Sequence, residues 1–304
     1  MKHLLSLKEL SKEEITGIIQ QGIEMKENKE DFFNSCEKKG LLLLFQKTST
    51  RTNLSFQSAI NQLGGYSVDL NWNSSNFSIS PIQYEARYVS RNCDLIMARL
   101  KKHDNLKELA KYSSVPVING CCEKYHPTQT LADVMTIYEH KKTFEGVTVT
   151  FVGVHNNVVN SLIIAALKLG FKLNLVTPII NNDSWDEELM GEVKQSNLVE
   201  SFDSIEEIIG DTDFIYTDTW VDMEHFNSKE FSAEKDKRIE KMMKFQINKE
   251  VLKDHKTLIM HDMPIHPGYE ISEDIVESES SIIYQQAENR MHVEKALINY
   301  LLNS

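Results

Sequence analysis

The feature that most constrains the fold is a set of short apolar runs, each bounded by polar residues and followed by a helical pattern. Runs such as GLLLLF (40–45) and DLIMAR (94–99) are short enough to suit buried strands rather than helices. Similar runs fall at 66–70, 115–120, 146–153, 172–177, 213–218 and 257–262. Alternating strands and helices predict parallel sheets with helices on both faces. We therefore expect an α/β fold of doubly wound parallel sheets.

The strand and helix rhythm restarts near the middle of the chain, which indicates two domains. A chain of 304 residues is long enough for two domains, each with its own core. The hinge is expected near residues 140–146. We therefore expect a first domain at 1–142, a second at 143–285, and a final helix, 286–304, that packs back on the first.

Charge and cysteine content limit the partners. The formal net charge is −12, with 45 acidic against 33 basic residues, and no basic stripe favours nucleic-acid binding. No apolar run approaches membrane-spanning length, and the first 15 residues do not fit a signal peptide. The four cysteines form neither a C-x-x-C motif nor a dense framework, so we expect a cytoplasmic protein without a metal site or cofactor.

The stretch FQKTSTRTNLSF (45–56) follows the first predicted strand and predicts an anion site. A strand that runs into a helix start presents free backbone N–H groups and the positive end of the helix dipole. Ser49, Thr50 and Thr52 add hydroxyl donors, and Arg51 adds a planar charged fork suited to phosphate oxygens. The stretch lacks the glycines of a Walker A loop. The alternative is a capping cluster ahead of an amphipathic helix at 54–63.

Other polar residues end the remaining predicted strands or follow them directly. In parallel sheets, ligands gather at the carboxyl ends of strands, so these side chains are expected to face one cleft. Taken singly, each also fits a structural role, such as a turn, a cap or a surface ion pair. A G-x-G-x-x-G motif is absent, which disfavours a nucleotide-dependent oxidoreductase. The residues concerned are Arg99, His126, Asn156, Asn157, Asp218, His261 and Asp262.

In order and spacing, these motifs resemble the aspartate/ornithine carbamoyltransferase family. The matching segments are S-T-R-T at 49–52, Arg99, H-P-T-Q at 126–129, Asn156 with Asn157, Y-T-D-T-W at 216–220, H-D-M-P at 261–264 and A-E-N-R at 287–290. The resemblance covers nearly the whole chain. S-T-R-T followed by H-P-x-Q is a specific signal, far stronger than either motif alone.

The resemblance implies a carbamoyltransferase that acts on two small molecules. It implies a carbamoyl-phosphate domain, an amine-binding domain, and a homotrimer in which Trp72 or Gln83 reaches a neighbouring subunit. Carbamoyl phosphate would be bound by Ser49, Thr50, Arg51, Thr52, Arg99, His126, Gln129 and Arg290. The acceptor would be bound by Asn157, Asp218, Asp222, Met223, Asp262 and Met263. The catalytic set would be Arg51, Arg99, His126 and Asp262.

The acceptor is expected to be cationic. The H-D-M-P-I loop (261–265) lacks the arginine of the aspartate branch, and nearby residues are acidic, which favours ornithine as the acceptor and citrulline as the product. Asp222 and Asp262 stand where the ornithine branch has serine and cysteine, so putrescine or another basic amine remains an alternative. Asp262 would orient or deprotonate the amine. Asn53 replaces a second family arginine, which leaves a non-catalytic, anion-binding homologue as a further alternative.

Overall fold

The first half of the chain folds around a four-stranded parallel sheet. The computed structural model describes residues 1–221, 226, 230–253 and 255–304. The strands are β1 (Gly40–Phe45), β2 (Tyr66–Asn71), β3 (Leu95–Arg99) and β4 (Val117–Cys121). Their order is β2-β1-β3-β4, and each neighbouring pair is parallel. All six residues of β1 are buried, as expected for a central strand covered on both faces.

Helices connect the strands of this first sheet. They are α1 (Lys12–Glu27), α2 (Thr50–Gln62), α3 (Ile82–Val89), α4 (His103–Tyr112) and α5 (Pro127–Lys141). Ser11 and Glu14 form a capping box at the start of α1, and Pro127 occupies the first turn of α5, where no backbone N–H is needed. Helix α5 ends at Lys142, which has φ of 60° in the left-handed region.

The second half folds around a five-stranded parallel sheet. Its strands are β5 (Thr148–His155), β6 (Lys172–Ile180), β7 (Val199–Ser201), β8 (Phe214–Thr217) and β9 (Leu258–His261), in the order β7-β6-β5-β8-β9. All neighbouring pairs are parallel. The helices here include α6 (Asn157–Leu169), α7 (Glu187–Val193), α8 (Ser232–Met242), α9 (Lys249–Leu252) and α10 (Glu273–Val276). The short elements α7 and β7 were not predicted from the sequence.

The last helix, α11 (Ile283–Leu302), returns from the second sheet to the first. It packs against α1, α2 and α5, and its first turns also contact β9. Its buried apolar residues, including Val293, Leu297 and Leu301, join the large core cluster that also contains the first sheet. Helix α11 therefore touches both sheets. Among the described residues, no helix combines the length and the apolar character needed to cross a membrane.

Each sheet has a point where the strand order reverses. In the first sheet, the chain goes from β1 to β2 on one side and later places β3 on the other side of β1. In the second, β6 and β8 lie on opposite sides of β5. Ligand sites form outside the carboxyl ends of the strands at such points. A ligand site is therefore expected at the carboxyl ends of β1 and β3 and of β5 and β8.

Candidate active site

The carboxyl ends of both sheets open into one cleft of about 450 Å³. Residues after β1, β3 and β4 line one part of it, and residues after β5, β8 and β9 line another. The lining includes these predicted site residues: Ser49, Arg51, Thr52, Arg99, His126, Asn157, Asp218, Asp262, Met263 and Arg290. Thr50 and Gln129 are not among the lining residues. The structure therefore brings together residues that lie more than 200 positions apart.

The start of α2 forms one wall of the cleft. Ser49 is the N-cap residue, and its hydroxyl oxygen accepts a hydrogen bond from the Thr52 N–H at 3.2 Å. Arg51 and Thr52 thus lie in the first helical turn, beside the positive end of the helix dipole. Thr50 is exposed at the same end of the helix. This wall has the character of an anion-binding helix terminus.

Three guanidinium groups converge on this wall. The hydroxyl oxygen of Thr52 accepts hydrogen bonds from Arg290 at 3.2 Å and from Arg99 at 3.4 Å. Burial lowers the pKa of Arg51; Asp262 opposes this shift, whereas the positive charges of Arg290 and Arg99 add to it. Like charges held this close favour a bound anion, which would neutralise their repulsion.

Two buried residues hold Arg290 from behind. Glu294 accepts a hydrogen bond from Arg290 Nη2 at 3.1 Å, and Gln129 Oε1 accepts one from Nη1 at 2.8 Å. Gln129 donates in turn to Asp133 Oδ1 at 2.9 Å. The side chain of Gln129 is therefore engaged behind the cleft wall, and the ligand contact that the resemblance implies for it stays a prediction.

His126 lies beside the three guanidinium groups. It is 6% exposed, and its backbone N–H donates to Ser161 Oγ at 2.8 Å, which fixes the start of α5. Burial lowers the pKa of His126 well below its usual value, and the charges of Arg290, Arg99 and Arg51 act in the same direction. Its imidazole is therefore neutral near pH 7. Within the described part of the chain, the buried Nδ1 has no hydrogen-bond partner.

The opposite part of the cleft is acidic. Asp218, at the end of β8, accepts hydrogen bonds from Asn156 Nδ2 and from the Thr219 N–H, both at 2.6 Å. The bond from Asn156 connects the end of β5 with the end of β8, the two neighbouring strands at the point where the strand order of the second sheet reverses. Asp262 follows β9, and burial together with the charge of Asp218 raises its pKa well above the usual value. The ligand-free pair therefore favours a protonated Asp262.

Neighbouring residues fix the geometry of this acidic part. Asn157 donates to the Cys122 carbonyl oxygen at 2.6 Å and lies 3.1 Å from Cys121 Sγ. Met263 has φ of 59°, a left-handed conformation unusual for its type, and its N–H donates to His261 Nδ1 at 2.8 Å. The predicted acceptor residues Asp222 and Met223 lie outside the described residues.

Asp218, His261 and Asp262 also form a candidate cation site. One ligand atom from each lies within 4.8 Å of the others. However, His261 Nδ1 accepts the Met263 N–H, and its Nε2 lies 3.1 Å from Glu270 Oε1. Both ring nitrogens are thus engaged within the protein, so the imidazole does not suit metal coordination. The two carboxyl groups remain, and they suit an organic ammonium group.

Several supporting residues were not predicted as part of the site. Arg238, on α8, lines the cleft, donates to the Trp220 carbonyl oxygen at 3.4 Å and lies 4.0 Å from Glu234. Asp133 and Gln286 are fully buried behind the site. Asp133 carries a sequence signal, because it is the one charged residue in the largely apolar stretch LADVMTI (131–137). Arg238 carried none, since it stands in a run of mixed charge.

Trp72 and Asn53, two further residues that the resemblance singled out, both contact neighbours in the first half of the chain. Trp72 is 7% exposed, and its ring lies 4.9 Å from that of Phe77 in the same loop. Asn53 donates to Asp69 Oδ1 at 3.0 Å and also contacts Gln57, so it points toward β2. Neither residue lines the cleft. The replacement at Asn53 therefore lies away from the three guanidinium groups.

Fold and site together define an α/β transferase, in which one cleft combines a cationic part for an anionic donor with an acidic part for an amine. The family profile described as "Aspartate/ornithine carbamoyltransferase, carbamoyl-P binding domain" matches residues 2–139. The profile described as "Aspartate/ornithine carbamoyltransferase, Asp/Orn binding domain" matches residues 145–301.

Individual relatives agree with the two profiles. An ornithine carbamoyltransferase from Archaeoglobus fulgidus is 37% identical over 308 residues, 99% of this chain and 98% of that protein. The solved ornithine carbamoyltransferase from Pyrococcus furiosus has a TM-score of 0.90 and 36% identity, covering 100% of this chain and 97% of that one. The anabolic enzyme from Campylobacter jejuni has a TM-score of 0.87 and 35% identity, covering 100% and 99%.

This chain belongs to the aspartate/ornithine carbamoyltransferase family. The fold class, the family and the carbamoyltransferase activity predicted from the sequence are thereby confirmed.

Proposed function

We propose that the protein transfers the carbamoyl group of carbamoyl phosphate to the side-chain amine of L-ornithine, giving L-citrulline and phosphate. The observation that carries this proposal is the pairing, within one cleft, of Arg51, Arg99 and Arg290 with the facing carboxyl groups of Asp218 and Asp262. Solved and curated relatives that are named ornithine carbamoyltransferases support the choice of acceptor.

The cationic part would bind the phosphate of the donor. Arg51, Arg99 and Arg290 would each form charge-assisted hydrogen bonds with its oxygens. Ser49, Thr50 and Thr52 would add backbone and hydroxyl groups at the start of α2. Gln129 would act through Arg290, because its amide oxygen accepts the Arg290 Nη1–H. This arrangement would orient the carbamoyl carbon toward the acidic part of the cleft.

Arg99 and His126 would stabilise the charge that develops during the reaction. The neutral amine attacks the carbamoyl carbon, a C–N bond forms, and negative charge grows on the carbonyl oxygen before the C–O bond to phosphate breaks. A neutral His126 retains one ring N–H that can donate to this oxygen. A well-placed donor of this kind contributes about 3 to 4 kcal/mol to the transition state.

Asp262 would receive the proton that the attacking amine must lose. In the ligand-free cleft, burial and Asp218 favour its protonated form. A bound ammonium group beside the pair favours ionisation, because opposite charges lower a carboxyl pKa. The ammonium group loses one proton to solvent to become the neutral amine that attacks, and the ionised Asp262 could accept the second proton as the C–N bond forms. Asp218 and Asn157 would hold the acceptor, together with Asp222, Met223 and Met263, as the resemblance implies.

Arg238 supports an amino-acid acceptor over a plain diamine. It adds a permanent positive charge to the part of the lining that comes from the second half of the chain. Ornithine carries an α-carboxylate, and putrescine does not. An arginine in this position would bind that carboxylate and offset the repulsion expected from nearby acidic residues. This interaction adds to the support that the relatives give for ornithine.

The test is an assay for citrulline formation from carbamoyl phosphate and ornithine, run in parallel with putrescine, lysine and aspartate. Arg51→Ala should abolish carbamoyl-phosphate binding in calorimetry, because its charge-assisted fork is lost. Arg91→Ala, which removes an exposed arginine after α3, is the matched control. Unchanged affinity in Arg51→Ala would contradict the donor site, and a higher kcat/KM for putrescine than for ornithine would contradict the acceptor.

We further propose a cytoplasmic homotrimer with a carbamoyl-phosphate domain at 1–142, an amine-binding domain at 143–285 and a returning helix at 286–304. Free cysteines at all four positions fit a reducing compartment. Tyr66 and Val68 are each 48% exposed on the edge strand β2, a surface that suits subunit contact. Light scattering of the purified protein measures the subunit number, and a monomeric mass would contradict this proposal.

A further inference from the structure

Gln286 joins the two halves of the molecule. It lies in the first turns of α11, and its side chain is fully buried. Its amide nitrogen donates to Asp133 Oδ1 on α5 at 2.7 Å. Its amide oxygen accepts the backbone N–H of His261, at the end of β9, at 2.8 Å. The Gln286 side chain therefore bonds both to helix α5 in the first half of the chain and to strand β9 of the second sheet.

On the first-sheet side, the contacts continue to the cationic wall of the cleft. Asp133 Oδ1 also accepts a hydrogen bond from Gln129, and Gln129 accepts one from Arg290. Arg290 then donates to Thr52 at 3.2 Å. Asp133, Gln129 and Arg290 are each 3% exposed or less. The path from Gln286 to the wall thus runs through buried groups.

On the second-sheet side, the contact fixes the loop that carries Asp262. His261 is the last residue of β9, and its ring accepts the Met263 N–H. Asp262 stands between these two residues and lines the cleft. Holding the His261 N–H therefore fixes the point from which the Asp262 side chain projects.

We propose that Gln286 is a positioning residue that couples the donor half of the cleft to the acceptor loop, so that anion binding at Arg290 orders Asp262 for the amine. This inference rests on the proposed function and adds a residue to it. Gln286 touches no substrate; it acts through Asp133 and His261.

Burial makes this coupling energetically significant. A buried donor or acceptor that loses its partner pays the full cost of its desolvation, so the members of this path do not rearrange independently. Removal of the Gln286 amide leaves the His261 N–H without its present acceptor and removes one of the two donors to Asp133 Oδ1. The two halves of the cleft then lose a direct connection while each retains its own ligand-binding side chains.

Gln286→Met is the variant of choice, because methionine keeps the length of the side chain and removes both hydrogen bonds. The neighbouring Gln285→Met is a matched control. Gln285 also makes two side-chain hydrogen bonds, to Glu139 at 2.8 Å and to His140 at 2.9 Å, outside the cleft. If Gln286→Met does not fold, Gln286→Glu replaces it; glutamate still accepts the His261 N–H but lacks the amide donor to Asp133.

The first readout is hydrogen exchange with inorganic phosphate as the probe. Phosphate should slow exchange in the peptide covering residues 258–265 in the wild type and in Gln285→Met, and this effect should be lost in Gln286→Met. Phosphate should still protect the start of α2 in all three proteins. An equal phosphate effect on 258–265 in Gln286→Met, or the absence of such an effect in the wild type, would overturn the proposal.

The second readout is steady-state kinetics with ornithine. In Gln286→Met, kcat/KM for ornithine should fall about tenfold, whereas the Kd of inorganic phosphate measured without ornithine should change little, because the donor-binding side chains are retained. If Gln286 had a purely structural role, Gln286→Met would lower the thermal stability and leave kcat/KM for ornithine unchanged. That result would contradict the coupling. A wild type that forms no citrulline would refute the proposed function, whereas the phosphate experiment would still decide the role of Gln286.

Discussion

Replacement of Asp133 by asparagine tests the electrostatics of the buried groups behind the cleft. Burial raises the pKa of Asp133 from 3.8 to about 7, although hydrogen bonds from Gln286 and Gln129, the nearby Tyr216 hydroxyl and the charge of Arg290 oppose this rise. Both amide donors bond to Oδ1, and the buried Oδ2 has no partner by hydrogen-bond geometry among the described residues. An asparagine oxygen can accept both bonds, so the substitution removes the ionisation and retains these contacts.

The magnitude follows from the two pKa values. The folded protein keeps the Asp133 proton at pH values where the unfolded chain has lost it, so the free energy of unfolding falls as the pH rises. The difference between 3.8 and about 7 corresponds to about 4 kcal/mol. This loss should accumulate between about pH 4 and pH 7 and level off above about pH 7. Asp133→Asn should not show it.

Urea unfolding at constant ionic strength, followed by tryptophan fluorescence across this pH range, measures the effect. The quantity of interest is the difference in unfolding free energy between Asp133→Asn and the wild type, which should increase by about 4 kcal/mol from pH 4 to pH 8. Asp31→Asn makes the same chemical change at an exposed position and is the matched control. A difference that stays constant with pH would refute the description of Asp133 as a buried carboxyl with a raised pKa.

Three further predictions concern the acceptor half and the helix packing. Burial and Asp218 raise the pKa of Asp262, so ligand-free Asp262→Asn should melt at a higher temperature than the wild type at pH 8. The same variant should lose about 100-fold in kcat/KM for ornithine. A lower melting temperature would contradict a raised pKa at Asp262. Arg238→Ala should lower kcat/KM about tenfold or more for ornithine and little for putrescine, and equal losses for both amines would argue against carboxylate binding. Gly17→Ala should raise the free energy of unfolding by about 1 kcal/mol, because its added Cβ has no neighbour within 4 Å. Gly22→Ala should not raise it, because its Cβ would lie 3.2 Å from Met135 Sδ. Urea unfolding measures both free energies.

The alternation of strands and helices could be predicted because it depends on local sequence patterns. Strand β1 lies where the sequence placed it, since GLLLLF (40–45) has a distinct composition. Helix α2 begins at Thr50, four residues before the predicted start, because Ser49 caps it directly. Strand β7 has only three residues and carries no periodic signal.

The site was predictable only where a residue is part of a motif. Arg51, Arg99 and His126 follow predicted strands, so the rule on strand ends placed them in one cleft. Gln286 and Arg238 could not be identified, because their roles depend on how helices from distant parts of the chain pack. The side-chain direction of Gln129 was likewise not encoded locally, since it depends on Arg290, 161 positions away.

A crystal structure with carbamoyl phosphate bound tests whether Arg51, Arg99 and Arg290 together bind the phosphate of the donor. The phosphate oxygens should lie within about 2.9 Å of the guanidinium nitrogens of Arg51, Arg99 and Arg290, and the carbamoyl group should point between His126 and Asp262. A donor bound elsewhere, or a phosphate that contacts none of these three arginines, would contradict it.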